Sequence, residues 1–179
     1  IGRNAFSLAL IGPPGSYKTS LAAKVMHHFG ELWDHNRPVS SMSGNGDTFN
    51  TVRLKLHQAK DVLYWLDDFA PTKSWLEAQK LLEETSRLIH NQEGRGRTAR
   101  DGQSFSDGPP PRATGLLTSE VMPRPGSASQ RMLVVPLASD DIDTSLVFPL
   151  NDPTSRFQRA LVMASFIRWL ATDLKEKQK

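Results

Sequence analysis

The sequence contains no cysteine among its 179 residues. Disulfide bridges and thiolate metal sites are therefore excluded, which fits a reducing compartment. No apolar run approaches the length needed to cross a bilayer, so we expect a cytoplasmic protein without a membrane partner. No secretory signal pattern is visible, and the chain begins with Ile1 rather than methionine. We therefore expect it to be a piece of a longer protein.

Strong charge of either sign is also missing. The formal net charge is +3, which permits a nucleic-acid partner without requiring one. The five histidines show no spacing typical of a metal site. The length fits one domain that can bury a hydrophobic core.

The most informative segment that is present runs from residue 10 to residue 20, LIGPPGSYKTS. It matches the phosphate-loop pattern G-x-x-x-x-G-K-[ST], except that Tyr17 replaces the glycine before the lysine. In such loops, backbone N–H groups hold a nucleotide's phosphates, the lysine neutralises them, and the hydroxyl binds Mg²⁺. The residues predicted to bind the nucleotide are Gly12, Pro13, Pro14, Gly15, Ser16, Tyr17, Lys18, Thr19 and Ser20.

The flanking sequence supports the loop. Residues 5–11 are almost wholly apolar, as in a strand buried on both faces of a parallel sheet. Apolar residues then repeat at helical spacing from Leu21 to Phe29, and Gly30 ends the helix. Tyr17 fits this loop easily if its backbone is helical, and is strained by about 1–3 kcal/mol if φ is positive. We expect the helical conformation.

A second signature follows about fifty residues later in the chain. An apolar run from Val62 to Leu66 ends in Asp67 and Asp68, which is the Walker B pattern. Such a strand carries its carboxylates to the edge of the sheet where ligands bind in open α/β folds. We predict that Asp67, together with Thr19, binds the metal.

The remaining segments continue the alternation of helices and strands. A capping box at Ser74 starts a helix, and apolar runs at 114–120 and 132–137 predict strands. Pro153 opens a long amphipathic helix with Asp152 as its cap. Between the helix that starts at Ser74 and the strand at 114–120, the glycine- and proline-rich stretch 91–113 predicts a long loop or hairpin. The alternation predicts an α/β fold with a parallel sheet and a C-terminal helix.

These motifs together resemble the additional-strand class of P-loop NTPases, the AAA+ and RecA-like proteins. Gly12-Pro13-Pro14-Gly15 is similar to the AAA+ loop opening. Thr118 and Ser119 fall where that family has sensor 1, and Arg131 falls where it has the arginine finger, with Arg124 as a competitor. The double aspartate is similar to superfamily 3 helicases and helicase-like ATPases of phages, plasmids and integrative mobile elements.

The resemblance implies an ATP- and Mg²⁺-dependent motor domain of a hexameric DNA helicase. Residues 1–150 would form the ATPase core, and residues 151–179 a C-terminal helix that could begin a lid. Asp68 would polarise the attacking water. A homo-oligomeric ring would bring Arg131 into a neighbour's site. The remaining implied residues are catalytic Lys18, Thr118 and Ser119 and the DNA-contacting Arg95, Arg97 and Arg100.

Two alternatives stay open at the level of sequence. One is an ATPase switch, such as a helicase loader or a transposition regulator, which binds DNA without unwinding it. The other is a nucleotide-binding assembly domain without catalysis, because Tyr17 departs from the phosphate-loop pattern. A solvated loop remains an equal alternative to DNA contact by Arg95, Arg97 and Arg100, since acidic residues are interspersed with them.

Overall fold

The structure is a computed structural model that describes residues 6–34, 39–42, 46–69, 74–92, 96–98 and 105–177. Strands and helices alternate through most of these ranges, as the sequence predicts. The strands are β1 (Ser7–Ile11), β2 (Ser40–Ser41), β3 (Leu63–Phe69), β4 (Gly96–Thr98), β5 (Phe105–Asp107), β6 (Thr114–Ser119) and β7 (Met132–Pro136). The α-helices are α1 (Lys18–Met26), α2 (Phe49–Gln58), α3 (Trp75–Asn91), α4 (Thr144–Val147) and α5 (Pro153–Lys177).

Five of the strands form one parallel sheet in the order β2-β3-β6-β1-β7. The predicted α/β fold with a parallel sheet and a C-terminal helix is therefore confirmed. β6 lies between β1 and β3, although it follows both of them in the chain. Since all five strands run the same way, the ends of β1, β3 and β6 meet at one edge of the sheet.

The sheet separates two hydrophobic layers because successive side chains of a strand point to opposite faces. Leu116 of β6 packs in the layer beneath α1, and its neighbour Leu117 packs in the layer beneath α2 and α3. Trp65 of β3 is fully buried in the first layer and Leu66 in the second. These alternating positions fix which side chains face α1 at the end of each strand.

Two of the predicted helix starts are confirmed by their capping bonds. The Ser74 hydroxyl accepts a hydrogen bond from the Glu77 amide at 3.1 Å at the start of α3. The Asp152 carboxylate accepts one from the Ser155 amide at 3.0 Å at the start of α5. Each bond satisfies a backbone donor that has no partner within the helix.

The apolar stripe of α5 is not covered by the rest of the described chain. Phe157 is 52% exposed, Leu161 is 48% exposed and Ile167 is 55% exposed. The helix is held mainly near its start, against the 3₁₀ turns His27–Phe29 and Phe148–Asn151. Within the described residues, no helix combines the length and the apolar character that a membrane span needs.

Candidate functional site

The loop between β1 and α1 is shaped by two glycines. A Cβ on Gly12 would lie 2.1 Å from the Leu137 carbonyl oxygen and 2.7 Å from the Ser16 hydroxyl, so only glycine fits there. Gly15 has a φ of +80°, and no atom lies within 4 Å of where its Cβ would be. The first glycine allows close packing of the strand ends, and the second leaves open space above the loop.

Tyr17 adopts the left-handed conformation, with φ of 58° and ψ of 20°. The expectation of a helical backbone at this position is therefore wrong. Its carbonyl accepts the first hydrogen bond of α1, from the Leu21 amide at 2.9 Å. A non-glycine residue in this region costs about 1–3 kcal/mol. The ring packs edge-on against Phe148, with 6.0 Å between the ring centroids, which contributes favourable aromatic contact.

Lys18 is the first residue of α1 and is only 9% exposed. Its ammonium group donates hydrogen bonds to the Pro13 carbonyl at 2.7 Å and to the Ser16 hydroxyl at 3.4 Å. Burial lowers the pKa of Lys18, while the nearby carboxylates of Glu120, Asp67 and Asp68 act to raise it. The charge of Lys18 is therefore held inside the loop, next to three acidic groups.

Asp67 is the centre of a buried hydrogen-bond cluster. Its Oδ1 accepts a bond from the Thr19 hydroxyl at 3.1 Å and a short bond from the Thr118 hydroxyl at 2.5 Å. Trp65 donates its indole N–H to the same oxygen at 3.3 Å. Burial nevertheless raises the pKa of Asp67, outweighing the donors that stabilise its anion. The predicted metal ligands, Thr19 and Asp67, are thus brought together.

A bulge places Asp67 and Asp68 opposite a single residue of β6. Leu66 pairs with Leu117 and Phe69 pairs with Ser119, so the two aspartates share the step occupied by Thr118. Asp68 is the extra residue of the bulge and has a φ of +67°. Its amide donates to the Thr118 hydroxyl at 3.0 Å. Thr118 therefore contacts both aspartates.

Ser119 lies beside Thr118 but makes different contacts. It is 1% exposed, and its hydroxyl donates to the carbonyls of Phe69 at 3.2 Å and Val121 at 2.9 Å. Its carbonyl accepts a bond from the Gly12 amide at 3.1 Å. Of the two predicted sensor residues, Thr118 joins the Asp67 cluster, while Ser119 fixes the turn that follows β6.

Arg131 lies where the parallel strands begin, at the sheet edge opposite the one that carries the loop. It ends the 3₁₀ turn Ser129–Arg131, and the next residue, Met132, pairs with Ser7 at the start of β1. The length of β1 alone separates this point from the loop, roughly 13 Å at about 3.3 Å per residue. Arg131 is therefore not brought to the loop of its own chain.

The competing residue, Arg124, is engaged elsewhere. Its Nε donates to the Gln79 side chain at 2.8 Å, and its backbone amide donates to Glu83 at 3.1 Å. These bonds attach the segment after β6 to α3.

One of the predicted DNA-contacting arginines, Arg97, falls on a small hairpin. β4 and β5 pair antiparallel, and Arg97 is the central residue of β4. Arg95 and Arg100 lie outside the described residues. The hairpin alternative for the stretch 91–113 is therefore confirmed for this part of the backbone.

A pocket opens at the start of α1, where the helix N-terminus presents free N–H groups. Its volume is about 310 Å³, and it is lined by Gly15, Tyr17, Lys18, Thr19 and Ser20. Pro13 and Ser16 support the loop from within, because the Pro13 carbonyl accepts bonds from the Ser16 hydroxyl at 2.9 Å and from Lys18. Five of the nine predicted loop residues therefore line one pocket.

The prediction from sequence missed Glu120. It directly follows Ser119, and its amide donates to the Phe69 carbonyl at 3.2 Å, which places it between β1 and β3 at the loop edge of the sheet. The signal was its spacing of two residues from Thr118, since residues two apart in a strand share a face. Trp65, which bonds Asp67, was also missed; it stands two residues before that carboxylate.

No protein-family model matches the chain, and no curated protein matches it. A solved structure described as the A form apo structure of the NrS-1 C-terminal region matches with a TM-score of 0.45 and 10% sequence identity. The match covers 89% of this chain and 36% of that chain, so this chain spans well under half of its length. A likeness at this level assigns neither a family nor an activity.

Proposed function

We propose that this chain is the ATP-binding and hydrolysing domain of a DNA motor. The observation that carries the proposal is the 3.1 Å hydrogen bond from Thr19, at the start of α1, to Asp67, at the end of β3. It joins the two sequence signatures, which are 48 residues apart in the chain. A hydroxyl and a carboxylate so paired, beside a buried lysine and a helix N-terminus, suit a Mg²⁺-bound nucleotide.

The residues present fit both ligands. The donor set of Thr19 and Asp67 consists of hard oxygen atoms, which Mg²⁺ prefers. The close approach at Gly12 and the open space above Gly15 leave a cradle that a phosphate chain can enter. Once bound, Mg²⁺ would neutralise charge that develops on the phosphate oxygens. Lys18 would exchange its bond to the Pro13 carbonyl for the nucleotide's phosphates.

The strand order supports the additional-strand class. β6 separates the strand before the loop from the strand that carries Asp67. Thr118, at the end of that inserted strand, bonds Asp67 and the Asp68 amide, so it can transmit the state of the phosphates between strands. This arrangement is what the resemblance to AAA+ and superfamily 3 ATPases leads us to expect.

The proposed role of Arg131 requires a ring. Because it lies at the sheet edge opposite the loop, it can act on a nucleotide only in a neighbouring subunit. An arginine finger supplied in this way raises turnover by about 10³–10⁵. Arg95, Arg97 and Arg100 would contact DNA phosphates without reading sequence.

The test is ATP turnover measured against protein concentration, with and without single-stranded DNA. We expect a rate per subunit that rises with concentration and with DNA, and that Lys18→Ala abolishes. Arg131→Ala should remove the concentration-dependent part. Arg87→Ala is the matched control, since Arg87 pairs with Glu83 on α3 and should leave turnover unchanged. A rate per subunit that stays flat with concentration would contradict the role of Arg131 in a neighbouring site.

A nucleotide-binding assembly domain without catalysis is the second candidate. The bond from Lys18 to the Pro13 carbonyl favours it, because a lysine held within the loop is withheld from the charge that hydrolysis develops on the phosphates. ATP binding without turnover, unaffected by Asp68→Asn, would support this candidate. A loader or regulator is distinguished from a helicase by strand displacement, which only the helicase performs.

A further inference from the structure

Glu120 directly follows β6 and extends the hydrogen bonding between β6 and β3 by one residue. Its amide donates to the Phe69 carbonyl at 3.2 Å, and the preceding carbonyl, that of Ser119, accepts from the Gly12 amide at 3.1 Å. The backbone at this point is thus tied to the end of β3 on one side and to the phosphate loop on the other. The Glu120 side chain is partly exposed, so it is accessible to a ligand.

The alternation of side chains directs Glu120 toward the loop. Leu116 packs in the layer beneath α1, and Thr118 on the same face bonds Asp67. Leu117 and Ser119 occupy the opposite face, where Leu117 packs beneath α2 and α3. Because the hydrogen bonding between β6 and β3 continues to residue 120, Glu120 shares the face of Thr118.

Like Glu120, Asp68 is near Lys18, but it occupies the bulge of β3. Leu66 and Phe69 both pack in the layer beneath α2 and α3, whereas Asp67 between them faces α1. The left-handed backbone of Asp68 supplies the extra residue that returns Phe69 to its buried position. The Asp68 amide is used in bonding Thr118. Asp68 therefore has a backbone role that is independent of its carboxylate.

We propose that Glu120, rather than Asp68, is the catalytic base of this site; the inference rests on the proposed ATP hydrolysis. The Glu120 carboxylate accepts a proton from the attacking water as the water oxygen bonds the γ-phosphorus. The bond from that phosphorus to the β–γ bridging oxygen breaks, and the electron pair leaves with ADP. Glu120 then releases its proton to the phosphate product or to solvent. Asp67 and Thr19 would hold the Mg²⁺ ion.

The experiment compares Glu120→Gln with Asp68→Asn, with Glu84→Gln as the control. Glu84 is an exposed carboxylate on α3 that pairs with Lys80, so its loss should leave both readouts unchanged. The readouts are Mg²⁺-dependent binding of a fluorescent ATP analogue and single-turnover ATP hydrolysis with single-stranded DNA. We expect Glu120→Gln to retain binding within about threefold and to lower hydrolysis by about 10²–10⁴, the range for a general base. Asp68→Asn should lower hydrolysis by less than about tenfold on the same scale.

Three outcomes would overturn the assignment. Turnover by Glu120→Gln near that of the unaltered chain would remove Glu120 from the reaction. A loss of binding equal to the loss of turnover would mean that Glu120 serves Lys18 and not the water. A larger effect of Asp68→Asn would return the role to Asp68. Absence of hydrolysis by the unaltered chain is a separate result, because it would overturn the proposed function itself.

Discussion

Tyr17 combines a strained backbone with a ring contact at the loop. The left-handed φ of 58° is one that glycine adopts freely, and the contact with Phe148 links the loop to the segment that precedes α5. The loop therefore accepts local strain where phosphate would approach. The contact connects the segment before α5 to the pocket at the start of α1.

Replacing Tyr17 with glycine removes both the backbone strain and the ring contact, and the direction of the change in ATP binding shows which of the two matters more. We expect Tyr17→Gly to tighten Mg²⁺-dependent ATP binding by up to about tenfold, equal to about 1.4 kcal/mol, because the backbone is freed to approach phosphate. Tyr17→Phe is the control, since it keeps both the ring and the strain. Calorimetric titration measures both variants. Weaker binding by Tyr17→Gly would instead show that the ring contributes to holding the ligand.

Burial of the Asp67 carboxylate affects how the stability of the folded chain depends on pH. Its pKa is raised by burial, so the folded chain holds the proton more tightly than the unfolded chain does. The resulting stability is present below the ordinary pKa of 3.8 and is lost as pH rises through the raised pKa. At neutral pH the ionised carboxylate therefore opposes folding.

We predict that Asp67→Asn raises the melting temperature at neutral pH without ligand and weakens the binding of Mg²⁺-ATP. The amide removes the buried charge and keeps an oxygen that accepts from Thr118, but it is a poor Mg²⁺ ligand. Differential scanning calorimetry with and without Mg²⁺-ATP gives both results. A lower melting temperature at neutral pH would contradict this account of the cluster.

At the scale of elements, α5 is attached to the α1 side of the molecule by polar contacts. His27 Nε2 lies 2.7 Å from the Trp33 carbonyl and must carry the proton, so Nδ1 accepts from Arg159 of α5 at 2.9 Å. Lys24 of α1 donates to the Asn151 side chain at 3.0 Å. These contacts join α1 and the turn that follows it to the start of α5 and the turn that precedes it.

The attachment requires a neutral His27. Burial lowers the pKa of His27, and the nearby cations Arg159, Arg156 and Lys24 lower it further, against the opposing effect of the Trp33 carbonyl. A lowered pKa means that this stability is present above the ordinary pKa of 6.5 and is lost as pH falls through the folded value. Protonation would also turn the acceptor of the Arg159 bond into a donor.

We therefore predict a loss of melting temperature that depends on His27 as pH falls below the ordinary pKa of 6.5. His27→Gln should show a smaller loss over this range, because glutamine does not titrate. His28→Gln is the matched neighbour and should keep the full loss. Equal pH dependence in all three proteins would rule out His27 as the titrating group.

For the whole molecule, the sequence predicts the elements better than the local geometry. The apolar run before Gly12, the helical spacing after Lys18 and the cap at Ser74 depend on near neighbours, and each is confirmed. The sign of φ at Tyr17 could not be read from the residue, because the loop imposes a conformation that tyrosine disfavours. Periodicity also left the exposure of α5 unknown, since it identifies an apolar face but not what covers it.

In the site too, features that follow from the order of motifs along the chain could be predicted, whereas features that depend on the pairing of strands could not. The pairing of Thr19 with Asp67 follows from two motifs and a parallel sheet, so it was predictable. The bulge at Asp68 and the place of Glu120 depend on the register of β3 against β6, which has no signature in either strand alone. The opposite location of Arg131 likewise follows from the register of β7 against β1.

The central claim is that the loop and Asp67 form one Mg²⁺-nucleotide site. Calorimetric titration of ATP into the unaltered chain and into Lys18→Ala, each with and without Mg²⁺, tests it most directly, with folding of both proteins checked by thermal unfolding. We predict Mg²⁺-dependent binding by the unaltered chain and at least about tenfold weaker binding, about 1.4 kcal/mol, by a folded Lys18→Ala. No binding by the unaltered chain, or equal binding by the two proteins, would contradict the account.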